Sequence, residues 1–92
     1  MSVLLISYDL GSPETSDDYA DLIKKIKSYD GWCKPEYSLW LIKTSKQSST
    51  VRDELKPYLD SNDKLLVMNV SGTGWGSYNL PSSVTKWMKE NI

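Results

Sequence analysis

Asp9 is the residue whose type and position point most directly to chemistry. It ends the apolar run Val3-Leu4-Leu5-Ile6-Ser7-Tyr8-Asp9 and is the only carboxylate attached directly to a core strand read from the sequence. Open α/β sheets tend to present functional groups at that end of a strand. Two readings of Asp9 stand side by side. It caps the turn through Gly11, or it is an oxygen ligand for a hard divalent ion such as Mg²⁺ or Mn²⁺. Two copies meeting across a dimer axis could hold one ion, able to activate water or polarise a phosphate.

Other chemistries are excluded by residue type. The absence of histidine removes the Ser-His-Asp triad, the Cys-His pair and His-containing zinc sites. The single cysteine, Cys33, has no partner for a disulfide and reads as a packed thiol. Gly72-x-Gly74-x-Gly76 follows a strand, as a phosphate-cradling loop does. It lacks the Lys-Ser/Thr of a P-loop and any following βαβ unit, so it reads as a flexible loop. No nucleotide, haem or zinc site is expected.

Nucleic acid is a weaker expectation. Eleven Lys and Arg against twelve Asp and Glu give a net charge of −1, whereas a dedicated binder carries a basic excess. The charges are unevenly spread. Asp9, Glu14, Asp17, Asp18 and Asp21 come without a base among them, then Lys24, Lys25, Lys27, Lys34, Lys43 and Lys46 follow, offset by Asp30 and Glu36. Such runs usually mark solvated faces. Trp32, Trp40, Trp75 and Trp87 could stack on bases. Trp40 and Trp87 fall on apolar periodic faces and read as core, which leaves Trp75 as the plausible surface aromatic, with core or interface packing as its other reading. Lys24, Lys25, Lys27 and Trp75 are therefore the candidate nucleic-acid contacts.

These residues must be positioned by a small number of elements. Ninety-two residues suit one domain, 1–92, and a chain this short is often marginal without a dense core or a partner. The apolar run ending at Asp9 reads as a buried strand. Acids at 17 and 18 suit a helix N-terminus, and Tyr19, Leu22, Ile23, Ile26 and Tyr29 give helical periodicity over 16–29. Gly31 supplies the exit. A short edge strand to about Glu36 and a longer strand over 38–44 follow. Residues 45–50 form a polar cap region; Val51, Leu55, Tyr58 and Leu59 mark a second helix that Pro57 limits. Asn62-Asp63 turns the chain into a fourth strand over 64–70. Pro81 suits the first position of a last helix, which carries Val84, Trp87, Met88 and Ile92 on one face.

The order β-α-β-β-α-β plus a C-terminal helix predicts an α+β fold, a ferredoxin-like split βαβ with a four-stranded antiparallel sheet. A strand with one wet face alternates apolar and polar residues. Here Val3 and Leu5 oppose Leu4 and Ile6, Leu39 and Leu41 oppose Trp40 and Ile42, and Leu65 and Val67 oppose Leu66 and Met68. The second face needs a cover, either the C-terminal helix or another chain, since a bare apolar face invites aggregation. A homodimer through a sheet face or edge is expected. Nothing approaches the roughly 18 apolar residues of a membrane span, and with one cysteine and no signal-like start a cytoplasmic setting is expected.

Leu4-Leu5-Ile6-Ser7-Tyr8-Asp9-Leu10 resembles the opening strand of the CRISPR-associated endoribonuclease family, the small subunit of the spacer-adaptation complex. Gly31 and Ser38-Leu39-Trp40 fall at matching places. The likeness is nearer to a divergent SinR-like branch, through Ile6 to Leu10, Trp32, Trp40-Leu41-Ile42, Asn62-Asp63-Lys64-Leu65-Leu66-Val67 and Trp87. It covers nearly the whole chain with short motifs in a fixed order. The resemblance implies a ferredoxin-like homodimer with Asp9 at the family's metal-binding aspartate. The family carries Arg and Lys shortly after that aspartate; this chain has Gly-Ser-Pro-Glu-Thr-Ser-Asp-Asp. Acids there repel a phosphate backbone unless a metal intervenes. Two functions follow. One is a non-catalytic protein-interaction or nucleic-acid-associated module of a phage, mobile-element or defence locus. The alternative is a metal-dependent endonuclease on RNA or DNA using Asp9 from both subunits.

Overall fold

The apolar run that opens the chain becomes β1 (Ser2–Asp9), the strand around which the sheet assembles. The structure, a computed structural model, describes residues 1–12 and 19–92. The chain continues through α1 (Ala20–Ile26), β2 (Gly31–Glu36), β3 (Leu39–Thr44), α2 (Ser48–Leu55), a short 3₁₀ turn (Lys56–Tyr58), β4 (Lys64–Asn69) and α3 (Ser82–Asn91). The four strands lie in the order β2-β3-β1-β4, and each neighbouring pair is antiparallel. No helix among the described residues is long and apolar enough to cross a membrane.

Strand alternation sorts the apolar residues into two cores. On one face, register pairs Leu4 with Ile42 and Ile6 with both Trp40 and Val67. There Leu4, Ile6, Tyr8, Trp40 and Ile42 meet Tyr19, Leu22 and Ile26 of the first helical segment and Val51 and Leu55 of α2. Full burial of such side chains is worth about 1.5–3 kcal/mol each, so this face dominates stability. The indole N–H of the buried Trp40 donates to the Tyr8 hydroxyl at 2.9 Å, which satisfies the one polar atom the ring brings inside.

Part of the second face is covered by α3. Val84 and Met88 pack with Val3, Cys33 and Leu41, and Leu5, Val70, Leu80, Trp87 and Ile92 close around them. Gly31 lies under this helix: a Cβ there would be in ordinary contact with Trp87 Cζ2 at 3.7 Å and tight against Lys43 Cβ of the neighbouring strand at 3.3 Å. Of the two covers expected from the sequence, the chain thus supplies one itself.

Several boundaries differ from expectation. The first helix ends at Ile26, not at 29, because its last turn tightens: Ser28 N–H bonds to Lys25 C=O at 3.0 Å and Tyr29 N–H to Ile26 C=O at 3.4 Å. Tyr29 still packs on the core, from the turn instead of the helix. The expected start at 16–18, with its capping acids, lies outside the described residues. Ser38 is not in β3; with Tyr37 it forms the hairpin turn and takes φ 60°. The second helix begins at Ser48, inside the expected cap region. It gives way to the 3₁₀ turn where Pro57 sits. Pro81 occupies the N-cap position, with φ −57° and ψ 144°, one residue before the expected place.

Candidate functional site

The helix α3 leaves part of the second face open, and Asp9 lies there. Alternation along β1 puts Ser7 and Asp9 on that face. Register sets them opposite Leu66 and Lys64 of the edge strand β4, with Leu39 of β3 on Ser7's other side. Leu66 is 54% and Met68 48% exposed, although Leu65 and Val67, one residue away, pack into the first core. Ser7, Tyr8, Asp9, Lys64, Leu65 and Leu66 line a shallow recess of about 180 Å³. Among the described residues, β4 is an edge strand of the sheet.

Asp9 itself is exposed. The Gly11 amide, in the turn that Asp9 precedes, donates to Asp63 Oδ1 at 2.7 Å. Asp63 is the residue that sequence reasoning missed. Its carboxylate also accepts from the Tyr19 hydroxyl at 3.0 Å and from the Asp60 amide at 2.7 Å. It thereby ties both described ends of the β1–α1 connection to the turn before β4. Desolvation works against the charged form, yet the two backbone amides and the Tyr19 hydroxyl hold the Asp63 carboxyl below its ordinary value. A Cβ at Gly11 would displace the side-chain amide of the exposed Asn62. The bond from Asp60, three residues back, is an Asx-type signal legible in principle; the bond across 52 residues of sequence is not.

Among the described residues that line the recess, Asp9 is the one carboxylate, and it faces Lys64. Among the described residues no three Asp, Glu or Cys side chains gather as a metal-binding group. A hard ion takes several oxygen ligands, so a metal at Asp9 would draw its remaining ligands from water or a second copy.

The candidate nucleic-acid residues disperse. Lys25 Nζ lies 3.8 Å from Glu54 and 5.3 Å from the centre of the Tyr29 ring. Lys46, 2.6 Å from the same carboxylate, and then the Tyr29 hydroxyl hold Glu54 below its ordinary value. Lys27 Nζ lies 5.0 Å over the Trp32 ring. Lys24 lines a shallow groove with Asp21, Lys25, Ser28 and Tyr58. Trp75, 37% exposed, belongs to the connection between β4 and α3, and none of these contacts joins it to the lysines. Trp40 is 2% exposed, as its periodicity predicted, and Trp87 is half-buried. No model of a known protein family matches the chain.

Proposed function

We propose that this chain is a non-catalytic interaction module that works as a homodimer, a cytoplasmic ferredoxin-like protein resembling the small subunit of CRISPR adaptation and its SinR-like branch. The strand order β2-β3-β1-β4 with two intervening helices on one face is the arrangement a split βαβ requires, which supports the fold assignment. The observation that carries the function is the uncovered part of the second face. Exposed Leu66 and Met68 stand on the strand that ends the sheet among the described residues, beside the partly exposed Leu5 and Leu39. Edge strands of this kind are normally blunted or paired. A second copy joining at β4 buries the apolar row and completes the ladder. Sedimentation or light scattering tests this: about twice the 10.5 kDa chain mass is expected at micromolar concentration. The doubly substituted Leu66→Lys/Met68→Lys protein should be monomeric. A monomeric parent refutes the proposal.

The second reading, a metal-dependent endonuclease on RNA or DNA, is favoured by one fact. Asp9 opens onto the same part of the sheet, so a dimer formed there brings two copies towards each other. Asp9 from each subunit would hold Mg²⁺ or Mn²⁺, whose chemistry is to polarise the phosphate or activate water. The interaction reading is preferred because, among the described residues, Asp9 is the one carboxylate each chain brings to the recess. Cleavage that requires Mn²⁺ and falls more than tenfold in Asp9→Asn would reverse that preference. Cleavage surviving both EDTA and Asp9→Asn would exclude the metal mechanism.

A further inference from the structure

At the β2 edge, on the face opposite Asp9, two exposed aromatic rings each carry a lysine. Trp32 is 40% and Tyr37 72% exposed. Lys27 Nζ sits 5.0 Å from the Trp32 ring centre, and Lys34 Nζ sits 4.9 Å from the Tyr37 ring centre. Buried Trp40 lies beside Trp32 and both lysines: its ring is 5.4 Å from that of Trp32 at 59°, 5.9 Å from Lys27 Nζ and 5.1 Å from Lys34 Nζ. Trp40 is fixed by its hydrogen bond to Tyr8, so Trp32 rests on a rigid support while its outer part remains in water.

We propose that this cluster is a binding platform for single-stranded nucleic acid, with bases stacking on Trp32 and Tyr37 and phosphates meeting Lys27 and Lys34. Exposed aromatics interleaved with cations at one sheet edge are the two components such recognition needs. Base stacking on an aromatic ring outweighs the exposed cation–π contact it displaces. Each lysine then swings on its flexible stem from ring to backbone phosphate. Asp30 and Glu36 flank the cluster in sequence and are exposed; they weaken the local field, so affinity is modest and stacking outweighs charge. A duplex keeps its bases paired and offers no faces to stack. This platform is independent of the dimerisation proposed at β4 and of any reaction at Asp9.

The test is fluorescence anisotropy of a labelled oligothymidine and of the matching duplex, with tryptophan quenching as a second readout. The parent should bind the single strand, quench on binding, and prefer it to the duplex. Trp32→Ala should weaken binding by about fivefold or more, the loss of one stacked base. Trp32→Phe should keep most of it. Should Trp32→Ala fail to fold, Tyr37→Ala, at a far more exposed ring, tests the same platform. Replacing both Lys27 and Lys34 by Ala should lower the log–log salt slope by about 1.4, at ~0.7 per phosphate contact. Lys86→Ala, on α3, should bind as the parent does. No binding, equal affinity for duplex, or full affinity in Trp32→Ala overturns the proposal.

Discussion

Replacing Trp87 by alanine measures how firmly α3 is docked. Trp87 is half-buried among the residues that close the second core, and its ring lies against Gly31 of β2. A fully buried Trp→Ala change costs about 3–5 kcal/mol; for a ring half in water about 2 kcal/mol is expected. The whole fold, at about 0.05–0.15 kcal/mol per residue, holds about 5–14 kcal/mol. One substitution therefore removes a large share. At about 4–8 °C per kcal/mol for a domain of this size, the melting temperature should fall by about 8–16 °C. Lys86→Ala is the control. Its ammonium is 3.9 Å from Glu90 across one turn, with the lysine side chain 78% exposed, too weak a pair to move melting by more than about 2 °C. Differential scanning fluorimetry and near-ultraviolet circular dichroism on both variants decide the matter. If Trp87→Ala melts within about 2 °C of the parent, α3 is not docked on the sheet, and the covering of the second face described above is wrong.

Three further outcomes are expected. The folded carboxyl of Asp63 titrates below its ordinary value, so its contribution is present above about pH 4 and is lost as pH falls through the depressed value; a melting series from neutral to acid should show Asp63→Asn less stable at pH 7 with a shallower acid loss, and an unchanged profile would refute the clamp. Burial pushes the Cys33 thiol up to about 11, so a thiol reagent should react slowly with the native protein at pH 7 and at once in denaturant; rapid native reaction would show that α3 does not shield it. Ser38→Gly should stabilise by about 0.5–1 kcal/mol, because φ 60° costs an L-residue about 1–2 kcal/mol and glycine gives back part of that in unfolded-state entropy; a lower melting temperature would show that the serine side chain offsets the backbone cost.

The strands were legible because both their faces are apolar, a pattern with few alternative uses. β1 and β4 fall within a residue of the runs at 3–9 and 64–70. The stripe Val84, Trp87, Met88 and Ile92 likewise marked a helix able to cover the second face, although whether it or another chain would do so was open. Helix ends were less legible. Tyr29 obeys helical periodicity yet reaches the core from a tightened turn, since a packed aromatic constrains position more than it constrains backbone type. The role of Asp63 was hidden for another reason: its partners at Gly11 and Tyr19 are local only in space. The scatter of Lys24, Lys25 and Lys27 shows the same limit. Lys24 and Lys25 share a groove, yet Lys25 is engaged by Glu54 and Tyr29 while Lys27, at the helix exit, lies over Trp32.

That α3 follows β4 across a long connection has a consequence for folding. In any state where the sheet has formed and α3 has not docked, Val3, Leu5, Cys33 and Leu41 are uncovered on one side. The sheet of a neighbouring copy then competes with the chain's own helix for the same surface, as exposed apolar surface in partly folded chains does. The connection through Gly72, Gly74 and Gly76 governs how quickly the helix arrives. Shortening or stiffening it would bias the outcome between a self-capped protein and an aggregate.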